Sequence, residues 1–208
     1  MKNIKPTFAE ENYLRSQGYM LIAGVDEAGR GALIGPVVAA AVILPEKIGA
    51  GWCEKVRDSK QLDSAAREWL YKHIMAKGVV GTGVASHEII DRQGIIKATY
   101  IAMIAALEML SVQPHFVLID YMQVPGIKIP QKGVMNGDSL CFSIACASIV
   151  AKVTRDRILT LMDSEYPGYG LAKHKGYGTK EHLECLCRLG PCPAHRRTFR
   201  PVLDVMSQ

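Results

Sequence analysis

The sequence predicts an α/β protein: a mixed sheet with helices on both sides. Three observations carry that class. Two short apolar runs, 19–25 and 36–44, follow each other closely between Gly and Pro, as in an antiparallel pair. Helix-like and strand-like stretches then alternate, the order expected of an α/β fold. The 208 residues are 49% hydrophobic and 22% charged, a composition that buries a core without staples. No internal repeat or low-complexity linker divides the chain, so residues 1–208 are expected to form one domain.

Each element has a local reason. The run 19–25 leads into DEAGRG and 36–44 is rich in Val and Ala; both read as buried strands. Asp63 or Ser64 is placed to cap a helix reaching about residue 76, and 79–85 reads as a third strand. Residues 95–110 have helical spacing and stop before Pro114, and 116–119 form a compact apolar strand ending at Asp120. Residues 139–164 carry a long helical pattern in two pieces, with VTRDR toward its middle. A shorter helix is expected over 179–189, closed by Gly190-Pro191.

The longest apolar stretch, 32–44, is broken by Gly35 and Pro36 and falls short of the ~20 residues of a membrane span. MKNIKPTFAEEN has no apolar h-region, so a cytoplasmic protein with reduced cysteines is expected. Cys141 and Cys146 sit in an apolar stretch, where a thiol acts as a small hydrophobe. Cys185, Cys187 and Cys192 with His182 and His195 admit a zinc reading, but their spacing lacks paired C-x-x-C units, which favours plain thiols.

The net charge of +5 is localised. Residues 171–200 hold seven bases (Lys173, Lys175, Lys180, Arg188, Arg196, Arg197, Arg200) against two acids, so the rest of the chain is balanced. A basic block on a neutral body is the footprint of a nucleic-acid partner, with a merely solvated face as the bland alternative.

Carboxylates at strand ends point to the chemistry. Asp26 and Glu27 follow one apolar run, Asp120 ends another, and Asp138 precedes a helix. Acids after buried strands are costly unless something cationic offsets them, and hard divalent cations do so. Acids from separated segments suit a two-metal phosphodiester site; paired-carboxylate glycoside hydrolysis is a competing use. One objection is geometric: neighbours in a strand face opposite ways, so Asp26 and Glu27 share a site only if the strand ends or bulges, which Gly29 and Gly31 permit. Asp138, within NGDS, also reads as a helix cap. GRGALIG is not a dinucleotide fingerprint, because Pro36 opens a strand-like run where that motif needs a helix. It reads instead as a loop whose N–H groups and Arg30 approach a sugar or phosphate.

VDEAGRG, GPVVAAAVIL, RDSKQL, LID, GDS, ASIVAKVTRDR, HKGYGTKEH and PAHRRTF, in this order from about residue 20 to 203, resemble ribonuclease HII, the type 2 ribonuclease H. The resemblance implies a ribonuclease-H-like core with a helical C-terminal extension, here about 165–208, basic and substrate-binding. It implies cleavage of RNA in RNA–DNA hybrids and incision of duplex DNA 5′ of single embedded ribonucleotides, leaving a 3′-hydroxyl and a 5′-phosphate, with Mg²⁺ or Mn²⁺. The family's acidic tetrad falls on Asp26, Glu27, Asp120 and Asp138. Its loop that contacts the 2′-hydroxyl falls on Gly29, Arg30 and Gly31, and its sugar-stacking tyrosine on Tyr177. Ser59 and Lys60 match a segment near the substrate backbone, and Lys175 stands where it can hold a flanking phosphate. Ala32 replaces a common proline, and Asn136-Gly137 stands where Lys-Gly is usual. A binding module of the same fold without catalysis is the alternative, against which the intact acids argue. No coiled-coil heptads appear, so a monomer is expected.

Overall fold

The computed structural model describes residues 5–207. Five strands, β1 (Ile22–Ala28), β2 (Val37–Ile43), β3 (Val79–Ala85), β4 (Phe116–Asp120) and β5 (Gln131–Val134), form one sheet in the order β3-β2-β1-β4-β5. The helices are α1 (Ala9–Ser16), α2 (Ala50–Cys53), α3 (Ser64–Lys77), α4 (His87–Gln93), α5 (Ile95–Glu108), α6 (Gly137–Leu140), α7 (Phe142–Glu165), α8 (Leu171–His174), α9 (Lys180–Leu189) and α10 (Arg200–Met206). A 3₁₀ turn spans Ser59–Gln61. Among the described residues, no helix is long and apolar enough to cross a membrane.

A short link joins β1 to its antiparallel neighbour β2. Next, β3 pairs antiparallel with β2 after the longer segment that holds α2 and α3, and β4 runs parallel to β1 after a helical crossover. Strand β2 is buried on both faces, which is why VVAAAVI is apolar throughout rather than alternating. Ala40 and Val42 join the core beneath α3 and α7; Val37, Ala39 and Ala41 join the one beneath α5.

Helix α7 is the spine of the site. Its first ten residues are all buried, so its apolar pattern has no polar stripe there. It lies against β1 at Gly24, where a Cβ would overlap the Ser143 main chain. The helix starts without a side-chain cap of its own. Glu11 of α1 fills that role, accepting from the Ser143 amide at 2.8 Å and its hydroxyl at 2.7 Å. The long helical pattern divides at Cys141, where Thr7 pairs with the main chain on either side.

Two expectations are corrected. β1 occupies 22–28 rather than 19–25, and its ladder with β2 continues through Ala28↔Val38. Asp26 and Glu27 therefore sit inside the strand, not after it. The edge strand β5 was not expected; QKGV carries no apolar run, and it pairs only with β4.

Candidate active site

The parallel pairing of β1 and β4 stops beside two acids. One residue beyond the last β1–β4 pair, Val25↔Ile119, come Asp26 and Asp120. Asp120 then organises the start of α6, since Oδ1 accepts from the Gly137 amide at 2.6 Å. That bond brings the next residue, Asp138, to the same place. Carboxylate oxygens of Asp26, Asp120 and Asp138 all lie within 4.8 Å of one another. Asn136, in the left-handed region, is the N-cap of α6, so Asp138 is not spent on capping; its Oδ2 lies 3.2 Å from Lys60 Nζ.

The electrostatics are those of crowded, dehydrated acids. Burial holds the Asp26 carboxyl well above the usual carboxylate range, and Glu27 and Asp120 push it the same way. The Glu27 amide, at 2.7 Å, and the Ser148 hydroxyl oppose that rise. Asp120 is raised by burial and by Asp138, against hydrogen bonds from the Gly137 and Asp138 amides. Hard oxygen donors whose negative charge is this poorly compensated match the needs of Mg²⁺ or Mn²⁺.

Glu27 differs. Being the strand neighbour of Asp26, it leaves β1 on the other face, and its Oε1 meets Arg30 Nη1 at 3.3 Å. Burial raises its carboxyl while Arg30 lowers it. It still lines the same cleft of about 220 Å³ as Asp26, Asp120, Gly29, Arg30, Gly31, Ser59, Lys60 and Tyr177. Lys175 does not. It faces a neighbouring groove and donates to the Thr160 hydroxyl at 2.9 Å.

Two cleft residues were missed by sequence reasoning, Ser148 and Lys152 on α7. Ser148 shares a 2.8 Å hydrogen bond with Ser59, and Lys152 lies 5.7 Å above the Tyr177 ring while paired with Asp156. Their i, i+4 spacing in an otherwise apolar helix segment was the available signal. The basic block also needs correction. Arg196 is fully buried and donates only to main-chain carbonyls, and Lys173 is held by Glu181 at 2.7 Å. The cysteines and histidines behind the cleft do not converge as a ligand set: Cys192 Sγ meets Nδ1 of His195 and His182 meets its Nε2, on opposite edges of the ring. Cys187 is exposed, and Cys192 lies beyond α9 rather than on it.

A mixed sheet that carries carboxylates on two parallel strands where their pairing stops, with a third delivered by a helix start, is the arrangement of a metal-dependent phosphodiester hydrolase. The comparisons narrow that class. The ribonuclease HII family model matches residues 23–202. A ribonuclease HII of Dehalococcoides mccartyi is 58% identical over 200 residues, covering 96% of this chain and 94% of that protein. One from Geotalea daltonii is 50% identical over 202 residues, covering 96% and 92%. The crystal structure of the ribonuclease H2 from Pyrococcus horikoshii OT3 is similar at TM-score 0.76 and 26% identity, over 90% of this chain and 98% of that one. Bst-RNase HIII, solved in complex with Mn²⁺, shares the fold at TM-score 0.71 and 17% identity, over 91% and 70%. The chain belongs to the ribonuclease HII family. It is a ribonuclease H, a divalent-metal-dependent hydrolase acting on RNA–DNA hybrids.

Proposed function

We propose that this enzyme, besides cutting the RNA strand of hybrids, incises duplex DNA on the 5′ side of a single embedded ribonucleotide by two-metal hydrolysis, leaving a 3′-hydroxyl and a 5′-phosphate. The observation that carries the reading is the convergence of Asp26, Asp120 and Asp138 within 4.8 Å. Those three, with Glu27, would hold Mg²⁺ or Mn²⁺. Bound there, the cations supply the charge that activates a water for in-line attack and stabilises the leaving 3′-oxygen. The chain's own groups do the recognition. Gly31 and Arg30 reach the cleft from a loop that leaves main-chain groups accessible to a 2′-hydroxyl, and the Tyr177 ring offers a flat face to the adjoining sugar. Ser59, Lys60 and Lys175 serve the phosphate backbone, as part of a binding face that residues from about 165 onward extend.

The test is cleavage of an RNA–DNA hybrid and of a DNA duplex carrying one ribonucleotide, in Mg²⁺, Mn²⁺ or EDTA, with the product ends mapped. Metal-dependent nicks 5′ of the ribonucleotide, ending in an extendable 3′-hydroxyl, are expected. Cleavage in EDTA, or a nick on the 3′ side, overturns the reading.

A further inference from the structure

Three buried histidines that the chemistry above does not use stand directly behind Tyr177. His182 Nδ1 lies 3.0 Å from the Tyr177 carbonyl oxygen, and its Nε2 lies 3.3 Å from Nε2 of His195. Nδ1 of His195 lies 3.0 Å from the Cys192 amide. These partners fix every proton. A carbonyl only accepts, so His182 carries its hydrogen on Nδ1 and presents a bare Nε2. His195 must then donate from Nε2, which leaves its Nδ1 to accept from Cys192. The result is a one-way chain: Cys192 N–H to His195, His195 to His182, His182 to the Tyr177 carbonyl. His174 braces it from the side, its ring stacked on His182 at 4.4 Å, its Nε2 donating to the Tyr169 carbonyl and its Nδ1 accepting from the Gly176 amide.

We propose that His182 and His195 are positioning residues, a neutral imidazole relay that anchors the Tyr177 main chain to the Cys192 turn and so sets how far the Tyr177 ring stands into the cleft. This rests on the reading of Tyr177 as the ring that packs on the sugar beside a single ribonucleotide. The anchoring point is specific. The Tyr177 carbonyl terminates the relay, while its segment pairs with Ala32, next to the loop that carries Gly29, Arg30 and Gly31. Two imidazoles at this distance work only if both are neutral, because a second proton would set two N–H groups face to face. Burial, then the neighbouring ring, holds His195 down to about 4, and burial lowers His182 as well. The relay thus stays intact at neutral pH.

The test compares Tyr177→Ala, His182→Phe, His182→Asn and the Tyr177→Ala/His182→Phe double variant on a single-ribonucleotide duplex and on a long hybrid. Asn keeps an amide N–H where His182 has Nδ1–H; Phe keeps bulk and loses the donor. His182→Phe is expected to cut kcat/KM about tenfold on the single-ribonucleotide duplex and much less on the hybrid, with Asn restoring most of it. In the Tyr177→Ala background, His182→Phe should add nothing. Additive losses, or equal losses on both substrates, overturn the relay while leaving Tyr177's role intact. If Tyr177→Ala alone is without effect on the single-ribonucleotide duplex, the reading of Tyr177 falls and the relay with it. A measurement on the unaltered enzyme guards against misfolded variants: ¹⁵N imidazole spectra at neutral pH should find His182 protonated on Nδ1 and His195 on Nε2, and any other pair of tautomers refutes the proposal.

Discussion

Arg196 Nη2 donates to the Gly29 carbonyl at 2.7 Å across 167 positions of sequence. Its Nη1 reaches the Arg30 carbonyl at 2.9 Å and its Nε the Gly35 carbonyl at 3.0 Å. A fully buried guanidinium thus ties the C-terminal segment to the loop that lines the cleft. Arg155 works beside it, donating to the carbonyls of Pro36, Ile34 and Lys175. Six main-chain acceptors take up two buried charges, and burial together with Arg155 lowers Arg196 to about 9.

Replacing Arg196 by Met would take a charged donor from three carbonyls and leave that of Gly29 only the Ala32 amide at 3.3 Å. A loss of about 2–4 kcal/mol is expected, a melting temperature lower by about 5–15 °C in a chain this size. The exposed neighbour Arg197 is the control, and Arg197→Met should stay within about 0.5 kcal/mol. Thermal melting of both variants decides; equal small shifts would mean that Arg196 does not hold the loop.

The glycines of the loop should separate fold from function. Gly29 has φ of 96°, and a Cβ there would overlap the Arg155 guanidinium. A Cβ at Gly31 would meet nothing within 4 Å. Gly29→Ala is therefore expected to cost more than about 2 kcal/mol, as both backbone strain and a displaced arginine contribute. Gly31→Ala should melt within about 0.5 kcal/mol of the parent yet lose activity on a single-ribonucleotide duplex. Full activity of Gly31→Ala would place the close approach of substrate elsewhere.

The acid cluster makes the metal-free protein pH-sensitive in a definite direction. Asp26, Glu27 and Asp120 are all raised, chiefly by burial. An acid raised by folding binds its proton more tightly in the native state, so its stabilising contribution is present below the unfolded value near 4 and is lost as pH rises through the folded value. In EDTA at pH 7.5, Asp26→Asn should melt about 2–4 °C above the parent, the effect of roughly 1 kcal/mol, with the gap closing toward pH 4.5. Added Mg²⁺ should stabilise the parent more than the variant. A variant less stable across the whole pH range would show that the Asp26 charge is welcome in the fold.

Much of this was legible because apolar runs announce buried strands. Residues 79–85 and the strand ending at Asp120 fall where the pattern placed them, and Asp63 caps α3, accepting from the Ala66 amide. Asp26, Asp120 and Asp138 were legible as acids beside apolar runs or a helix start, although Asp26 lies inside β1 rather than after it. The orientation of Glu27 was not, because β1 continues through DEA with polar residues that carry no strand signal. Arg196 was read as a surface base because composition counts charge and cannot see burial. Its solvent is six carbonyls shared with Arg155, contributed by segments that only the tertiary fold assembles. QKGV of β5 was missed for a related reason, since an edge strand needs few apolar residues.

The central claim is that Asp26, Asp120 and Asp138 act together as the metal-holding centre of a phosphodiester hydrolase. Its most direct test is single-turnover cleavage of a duplex bearing one ribonucleotide by Asp120→Asn at saturating Mg²⁺ and Mn²⁺, beside the parent enzyme and with melting curves for both. An amide keeps the shape and removes the charge, so a rate loss of at least about a hundredfold in a folded protein is predicted. Near-normal cleavage by folded Asp120→Asn would contradict it.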